Sequence, residues 1–144
     1  MTLAIGHHDY ERKKIIVDLP RAWDAPFDPH QVTQEIAEIC KRYRLHCVTG
    51  DRYSAEWVSE AFAKHGITYL KSELSKSKLC LEFEAILNTQ QVEFPKNEKL
   101  IDELLSLERR TGRSGRESID HPPAPVLLTI EATCLGGVLV IKKP

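Results

Sequence analysis

The stretch Val48-Thr49-Gly50-Asp51-Arg52-Tyr53 predicts a short strand that delivers a carboxylate at its C-terminal end. The strand begins at Cys47, and Ser54 is suitably placed to cap a helix that follows. In open α/β sheets, binding and catalytic sites lie outside the carboxyl ends of the strands. Asp51 is therefore a candidate site residue, and the alternative is a turn residue or a cap for the next helix.

The residues before this strand predict a hairpin and then a helix. Residues 2–8 and 14–19 favour two strands joined by a polar turn, and Pro20 either ends the second strand or places it near a sheet edge. Asp28-Pro29 is typical of a helix start. The buried face of this first helix is predicted from apolar residues at helical spacing, which are Val32, Ile36, Ile39, Cys40 and Tyr43.

Three more helices are predicted after Asp51, separated by short strands at residues 67–70 and 92–94. His65-Gly66 is typical of a helix end, and Asn97 of a helix start. The predicted buried faces are Trp57, Val58, Ala61 and Phe62 in the second helix, Leu79, Phe83, Ile86 and Leu87 in the third, and Leu100, Ile101, Leu104 and Leu105 in the fourth. Strands joined through helices predict an α/β fold, with a mixed sheet flanked by helices.

Two later segments depart from this alternation. Residues 109–116 place four arginines in a predicted loop that contains glycine. Pro122-Pro123-Ala124-Pro125 is a stiff spacer, and the tail after it has two β-rich runs separated by Gly136-Gly137, which predicts a β-hairpin. We therefore divide the chain into residues 1–123 and an atypical, apolar, β-rich C-terminal tail, residues 124–144.

The composition is that of one globular domain. The chain has 144 residues, of which 42% are hydrophobic and 28% charged, and its net charge of −1 predicts no strong overall attraction to nucleic acid or membrane. Its four cysteines lack zinc-ligand spacing, and Cys40 and Cys80 are expected to be buried thiols. Neither a signal peptide nor a membrane span is predicted, which favours a cytoplasmic protein.

The order of the motifs from Met1 to about Pro123 resembles the nuclease domain of phage terminase large subunits. The segments that carry this resemblance are Met1-Thr2-Leu3-Ala4-Ile5, Asp51-Arg52-Tyr53, Glu56-Trp57-Val58, His65-Gly66-Ile67, Ser75-Lys76-Ser77-Lys78-Leu79, Val92-Glu93-Phe94-Pro95, Leu100-Ile101-Asp102-Glu103-Leu104 and Ser114-Gly115-Arg116-Glu117-Ser118-Ile119-Asp120-His121-Pro122.

This resemblance implies a ribonuclease-H-like fold and metal-dependent cleavage of double-stranded DNA during genome packaging. Such chemistry uses about three carboxylates that converge on two divalent ions. Oxygen ligands suit Mg²⁺ or Mn²⁺, so either ion is the expected cofactor. Asp51 is the residue that matches a metal ligand of the family, and the resemblance makes it both a catalytic and a metal-binding residue.

The sequence departs from the family pattern at both of the other acidic positions. The resemblance places the first acidic residue on a strand before Met1, and it places an acidic pair shortly after Asp120-His121-Pro122, where this chain has no acid until Glu131. These departures predict doubtful metal binding and little or no nuclease activity, as in a prophage remnant. Asp9, Asp18, Asp120 and Glu131 are candidate substitutes, but surface carboxylates are the simpler interpretation.

Basic residues are the other candidate site residues. Phosphate contacts without base reading are predicted for Arg109, Arg110, Arg113, Arg116, Lys76 and Lys78, with Lys71 as a further candidate. The alternative is a solvated loop. His121 is a candidate ligand or general base, but its position next to Pro122 favours a loop residue. The pair His7-His8 is ambiguous, because adjacent strand residues face opposite sides and cannot easily bind one ion together. Trp57 and Phe62 are predicted to be core residues.

A second hypothesis belongs to a different functional class. A degraded fold can persist as a non-catalytic interaction module, and an apolar β-rich tail can pair with a sheet edge or with another copy of the chain. The first hypothesis predicts weak binding to double-stranded DNA. The second predicts instead that the chain forms a homo-oligomer through residues 126–144. A third hypothesis is an active nuclease with rearranged ligands.

Overall fold

The computed structural model of this chain describes residues 1–50, 55–74, 76–105, 108–111, 117–120 and 138–142. Eight strands and four helices lie within these ranges. In chain order they are β1 (Thr2–Asp9), β2 (Lys14–Ala22), α1 (Pro29–Arg42), β3 (Cys47–Gly50), α2 (Ala55–Ala63), β4 (Thr68–Lys71), α3 (Lys76–Asn88), β5 (Val92–Glu93), α4 (Glu98–Leu105), β6 (Glu108–Thr111), β7 (Glu117–Asp120) and β8 (Val138–Lys142).

Six of these strands form one mixed sheet in the order β4-β3-β8-β1-β2-β5. The β1–β2 and β3–β8 pairs are antiparallel, whereas β3–β4, β1–β8 and β2–β5 are parallel. The predicted mixed sheet flanked by helices is confirmed. The strand that precedes Asp51 lies inside this sheet, one position from the β4 edge.

The opening hairpin forms as the sequence predicts, with one irregularity. The register between β1 and β2 shifts between Ile5 and Gly6. A side chain at Gly6 would place its Cβ 2.6 Å from the carbonyl oxygen of Ile16, so the close approach of the two backbones requires glycine there. Pro20 does not end β2; it pairs with Ala4, and β5 pairs with β2 only at Ile15 and Ile16.

Helix α1 begins where the sequence predicts. The carboxylate of Asp28 accepts a hydrogen bond from the backbone N–H of His30 at 2.9 Å, which satisfies one of the amides left open at a helix start. Proline occupies the first helical position, and Lys41 and Arg42 lie in the last turn, where positive charge suits the helix dipole.

The main core lies between α1, α2 and the sheet. Leu3 and Ile5 of β1 pack with the apolar face of α1, and Val48 and Phe62 belong to the same cluster. Leu3, Ile5, Ile36 and Phe62 are all 0% exposed. Because these side chains come from β1, α1 and α2, their packing fixes the position of the helices relative to the strands.

Three predicted core positions, one on α2 and two on α4, are wrong. Trp57 is 38% exposed and contacts the ring of His30 edge-on, with 5.2 Å between ring centroids. On α4, Leu100 is buried, but Ile101 is 45% and Leu105 80% exposed. Helical spacing assigns each of these residues to the apolar face of its own helix, whereas neighbouring elements cover only part of each face.

Buried thiols are confirmed at Cys40 and Cys80, whereas Cys47 is exposed. Burial raises the pKa of the Cys40 thiol to about 11, so it is protonated near neutral pH. Cys134 lies outside the described residues. None of the helices in the described part of the chain combines the length and apolarity that crossing a bilayer requires.

The arginine segment is not a loop throughout. Arg109 and Arg110 lie on β6, which pairs antiparallel with β7 through Arg109↔Ile119 and Arg110↔Ser118. The predicted loop is therefore wrong at these two positions, because cross-strand pairing gives their backbone groups hydrogen-bonding partners. Residues 112–116, including Arg113 and Arg116, lie outside the described residues.

The second apolar run of the tail is part of the main sheet. β8 pairs with β1 from Leu3↔Val138 to His7↔Lys142, and with β3 at Thr49↔Leu139. The first apolar run and Gly136-Gly137 lie outside the described residues. The tail hairpin and the domain division at residue 123 therefore stay predictions.

We expect the core around α1 to dominate stability. Ile36→Ala should lower the free energy of unfolding by about 2–5 kcal/mol, because it removes buried methyl and methylene groups and leaves a cavity. Ile101→Ala, on the half-exposed face of α4, is the matched control and should cost about 1 kcal/mol or less. Urea titration followed by circular dichroism measures both values. Equal losses would contradict the core assignment.

Candidate active site at the end of strand β3

The end of β3 is tightly packed and fixed by β4. Val48 is 1% exposed and Gly50 is buried. Gly50 is the Cα partner of Lys71, and its carbonyl oxygen accepts a hydrogen bond from the backbone N–H of Ser72 at 2.9 Å. This bond continues the β3–β4 pairing to the point where β3 ends. Asp51 follows directly in sequence but lies outside the described residues.

Tyr69 packs against the backbone of Gly50. A Cβ built at Gly50 would lie 2.9 Å from the ring atoms Cε2 and Cζ of Tyr69. The ring of Tyr69 also stacks on Phe62, with centroids 5.9 Å apart and planes 14° apart. A side chain at position 50 would therefore force the Tyr69 ring to shift, a constraint that the strand pattern of the sequence did not reveal.

The strand directions determine which chain segments share this edge of the sheet. β1 is parallel to β8 and β3 is antiparallel to it, so the end of β3 lies at the same edge as the start of β1. The backbones of Met1 and Trp23 meet there through Trp23 N–H to Met1 O at 2.8 Å and Met1 N to Trp23 O at 2.9 Å. β4 is parallel to β3, so Lys71 also ends at this edge.

Glu35 is an acid near this edge that the sequence analysis did not single out. Its Oε2 accepts a hydrogen bond from Trp23 Nε1 at 2.9 Å and lies 3.6 Å from a guanidinium nitrogen of Arg21. Arg21 also sits over the Trp23 ring, 5.0 Å from its centroid. Glu35 lies twelve positions after Trp23 in the sequence. Neither helical nor strand spacing therefore predicts this contact.

Asp9 and Asp18 lie elsewhere. Ala4 and Thr49 both pair with Leu139, and Asp9 is five residues further along β1, which corresponds to about 17 Å along the strand. Asp9 instead accepts the backbone N–H of Arg12 at 3.0 Å, and Asp18 bonds Nδ1 of His7 at 2.8 Å. Both carboxylates therefore bond to other residues of the β1–β2 hairpin.

The two adjacent histidines have different neighbours. His7 contacts Asp18, whereas the ring of His8 stacks on Tyr10 with centroids 5.5 Å apart. This agrees with the expectation that neighbouring strand residues point to opposite sides. His121 and Glu131 lie outside the described residues, and Asp120 is the last residue of β7.

An ion cluster joins the hairpin to β5. Glu93 accepts hydrogen bonds from Lys14 Nζ at 2.6 Å and from Arg12 Nη1 at 2.9 Å. These bonds, with that from Lys14 the stronger influence, hold the pKa of the Glu93 carboxyl below its usual value. Arg12 and Lys14 therefore share the carboxylate of Glu93 as an ion-pair partner within the fold.

The candidate basic residues come from two regions. Lys71 is exposed and lies at the edge where β3 ends. Lys76 and Lys78 lie in the first turn of α3, and α3 contacts β7, the partner of the strand that carries Arg109 and Arg110. The fold thus brings helix α3 and the β6–β7 pair into one part of the molecule.

Within the described residues, no group of three or more His, Cys, Asp or Glu side chains is arranged to hold a metal ion. Glu35 is bonded to Trp23, and Asp9 and Asp18 to the hairpin. The described carboxylates alone therefore do not fit the two-ion site that the sequence resemblance implies.

The fold is similar to that of three solved structures. Two are crystal structures of the large terminase nuclease from thermophilic phage G20c. The first has a TM-score of 0.63 and 13% identity over 90% of this chain and 78% of that one. The second, with bound cobalt, has a TM-score of 0.67 and 12% identity over 92% and 80%.

The third structure is the HK97 bacteriophage large terminase. It has a TM-score of 0.61 and 15% identity, and the match covers 76% of this chain but 24% of that one. No protein-family model matches the sequence, and no curated protein matches it. At these identities the likeness establishes the fold, and the predicted fold, which these phage terminase structures share, is confirmed.

The contact between Gly50 and Tyr69 makes a prediction about the end of β3. Gly50→Ala should destabilise the fold by about 1–3 kcal/mol, because the added methyl group overlaps the Tyr69 ring. In the double variant Gly50→Ala/Tyr69→Ala this overlap is absent, so the combined loss should be smaller than the sum of the single losses. Urea titration of the four proteins measures the coupling. Additive losses would contradict the contact.

Proposed function

We propose that this chain, which has the fold of phage large terminase nucleases, is a terminase-type nuclease domain that retains a weak DNA-binding surface and has little or no cleavage activity. The observation that carries the proposal is the position of β3, an interior strand that ends at Gly50 immediately before Asp51. This agrees with the sequence resemblance, in which Asp51 matches a metal ligand.

Low activity follows from the number of carboxylates that the proposed chemistry needs. Two-ion cleavage uses several acids around one site, so that one ion activates water and the other stabilises the leaving oxygen. Asp51 is the residue of this chain that matches the family pattern. A single carboxylate holds a pair of divalent ions poorly, and Asp9 and Asp18 are engaged in the β1–β2 hairpin. Low activity of this kind is expected of a prophage remnant.

The proposed DNA surface combines the start of α3 with the β6–β7 hairpin. Arg109 and Arg110 on β6 and Lys76 and Lys78 on α3 come from regions that meet through β7. Arg113 and Arg116 belong to the segment that joins β6 to β7 in sequence. Basic side chains contact phosphates without reading bases, so this surface would bind duplex DNA with little sequence preference.

We expect supercoiled plasmid to stay intact when incubated with the full chain and Mn²⁺ or Mg²⁺, because Asp51 is the one residue that the sequence resemblance matches to a metal ligand. Agarose electrophoresis measures nicking and linearisation. Asp51→Asn and Asp9→Asn are the paired variants, since both remove one carboxylate but Asp9 lies far along β1. Cleavage that is lost in Asp51→Asn and kept in Asp9→Asn would contradict the proposal and support an active nuclease with rearranged ligands.

DNA binding should depend on the arginine segment. Changing Arg109, Arg110, Arg113 and Arg116 to Ala should weaken duplex binding and lower the slope of log affinity against log salt by up to about 3.6, because each phosphate contact contributes about 0.9. The control variant changes four basic residues elsewhere that are exposed, Lys41, Arg42, Lys64 and Lys96, to Ala. Fluorescence anisotropy at several salt concentrations measures both slopes, and equal effects would contradict a localised surface.

A second candidate is a non-catalytic interaction module that self-associates through residues 126–144. The observation that favours it is β8, whose sequence Val138-Leu139-Val140-Ile141 is apolar and which pairs with strands on both sides. A strand with these properties can bind the sheet of another molecule as well as its own.

A further inference from the structure

The C-terminal strand joins the two halves of the sheet. β8 is the last strand in sequence, yet it lies between β1 and β3 in the interior of the sheet. If β8 is removed, the strand order separates into β5-β2-β1 on one side and β3-β4 on the other. A strand in this position is therefore needed for a continuous six-stranded sheet.

The residues that border β8 are buried. Leu3, Ala4 and Ile5 of β1 are 0% exposed, and Val48 of β3 is 1% exposed. Buried backbone amides and carbonyls that lose their hydrogen-bonding partners cost free energy. The gap between β1 and β3, which we call the β8 slot, therefore favours occupation by a strand from any source.

The two sides of the β8 slot hold the strand unequally. β8 has five Cα partners on β1, from Leu3↔Val138 to His7↔Lys142. On β3 it has one, Thr49↔Leu139, although β3 is four residues long. The strand is therefore anchored mainly along β1, and few ladder bonds must break on the β3 side when it leaves.

The length of the connection allows β8 to reach beyond its own domain. Seventeen residues, 121–137, separate the end of β7 at Asp120 from the start of β8 at Val138. A chain of this length spans at most about 56–61 Å when extended. A compact domain of this size has a radius of gyration of about 15 Å. The sequence therefore permits β8 to occupy either its own slot or that of a neighbouring molecule.

We propose that a second copy of this chain supplies β8 to the β8 slot, so that two copies form a strand-exchanged dimer. The exchanged strand makes the same pairs with β1 and β3 that it makes within one chain, so the dimer requires no new interface. Exchange of identical elements is a low-cost route to a closed, two-fold dimer. Protein concentration then determines the fraction of exchanged molecules.

This inference rests on the self-association candidate and not on the DNA-binding proposal. It identifies the partner as a second copy of the chain and the contact as the β8 slot. Pairing between outer sheet edges would also give an oligomer through the tail, but it would leave β8 in its own molecule.

Disulfide trapping in the full-length chain distinguishes these arrangements. The four native cysteines are first replaced, Cys40 and Cys80 by Ala and Cys47 and Cys134 by Ser. One population then carries Thr49→Cys with a mass tag, and the other carries Leu139→Cys. The two populations are mixed, opened briefly in mild urea, returned to buffer and oxidised. A chain with one cysteine cannot form the 49–139 bond alone, so a mixed disulfide of the two masses reports exchange.

We expect the mixed product on non-reducing gels, and at low concentration its fraction should rise about tenfold for a tenfold increase in protein concentration. A Glu38→Cys chain replaces the Thr49→Cys chain in the control. Glu38 is exposed on α1, outside the sheet, so this mixture measures random collision. Mixed product at the level of the control would overturn the proposal.

A doubly substituted chain, Thr49→Cys/Leu139→Cys, separates the remaining outcomes. If it forms its bond within one chain while the mixture gives no product, β8 stays in its own molecule and exchange is wrong. If the doubly substituted chain forms no 49–139 disulfide, either within one chain or between chains, β8 does not occupy the slot and the proposal is also wrong. Light scattering of the unsubstituted chain tests the wider candidate, since a dimer mass without mixed product would leave self-association standing and overturn exchange alone.

Discussion

The packing of β1 against α1 is the contact on which the other elements depend. Leu3 and Ile5 are fully buried against a helix face that includes Ile36, and β1 also pairs with both β2 and β8. The hydrophobic effect holds the helix to the strand, while backbone pairing extends the sheet on either side. Because β8 connects β1 to β3, the position of Gly50 follows indirectly from this core.

The end of β3 combines a fixed backbone with few described carboxylates. Tyr69 packs against Gly50, and the amide of Ser72 bonds its carbonyl oxygen, so the last strand residue is held on two sides. The fold therefore fixes the position of a strand end, which is where sites in α/β sheets lie. The carboxylate of Glu35 nearby is hydrogen-bonded to Trp23.

β8 gives the tail a structural role that composition alone did not indicate. An apolar tail on a surface is a liability, since it recruits other chains. Here the described part of the tail, Val138–Lys142, completes the sheet, so its hydrophobic character suits an interior strand. A terminal strand in an interior position connects stability with association, because whichever molecule supplies the strand also closes the sheet.

Local patterns in the sequence determined the hairpin, the cap at Asp28, the strand before Asp51 and the order of helices, because turn residues, caps and apolar spacing act over a few positions. Tertiary structure decided the rest. Helical spacing placed Trp57 in the core, although no element covers it fully. The Gly50–Tyr69 contact and the place of β8 between β1 and β3 join residues distant in sequence, and only the packing of the whole chain brings such residues together.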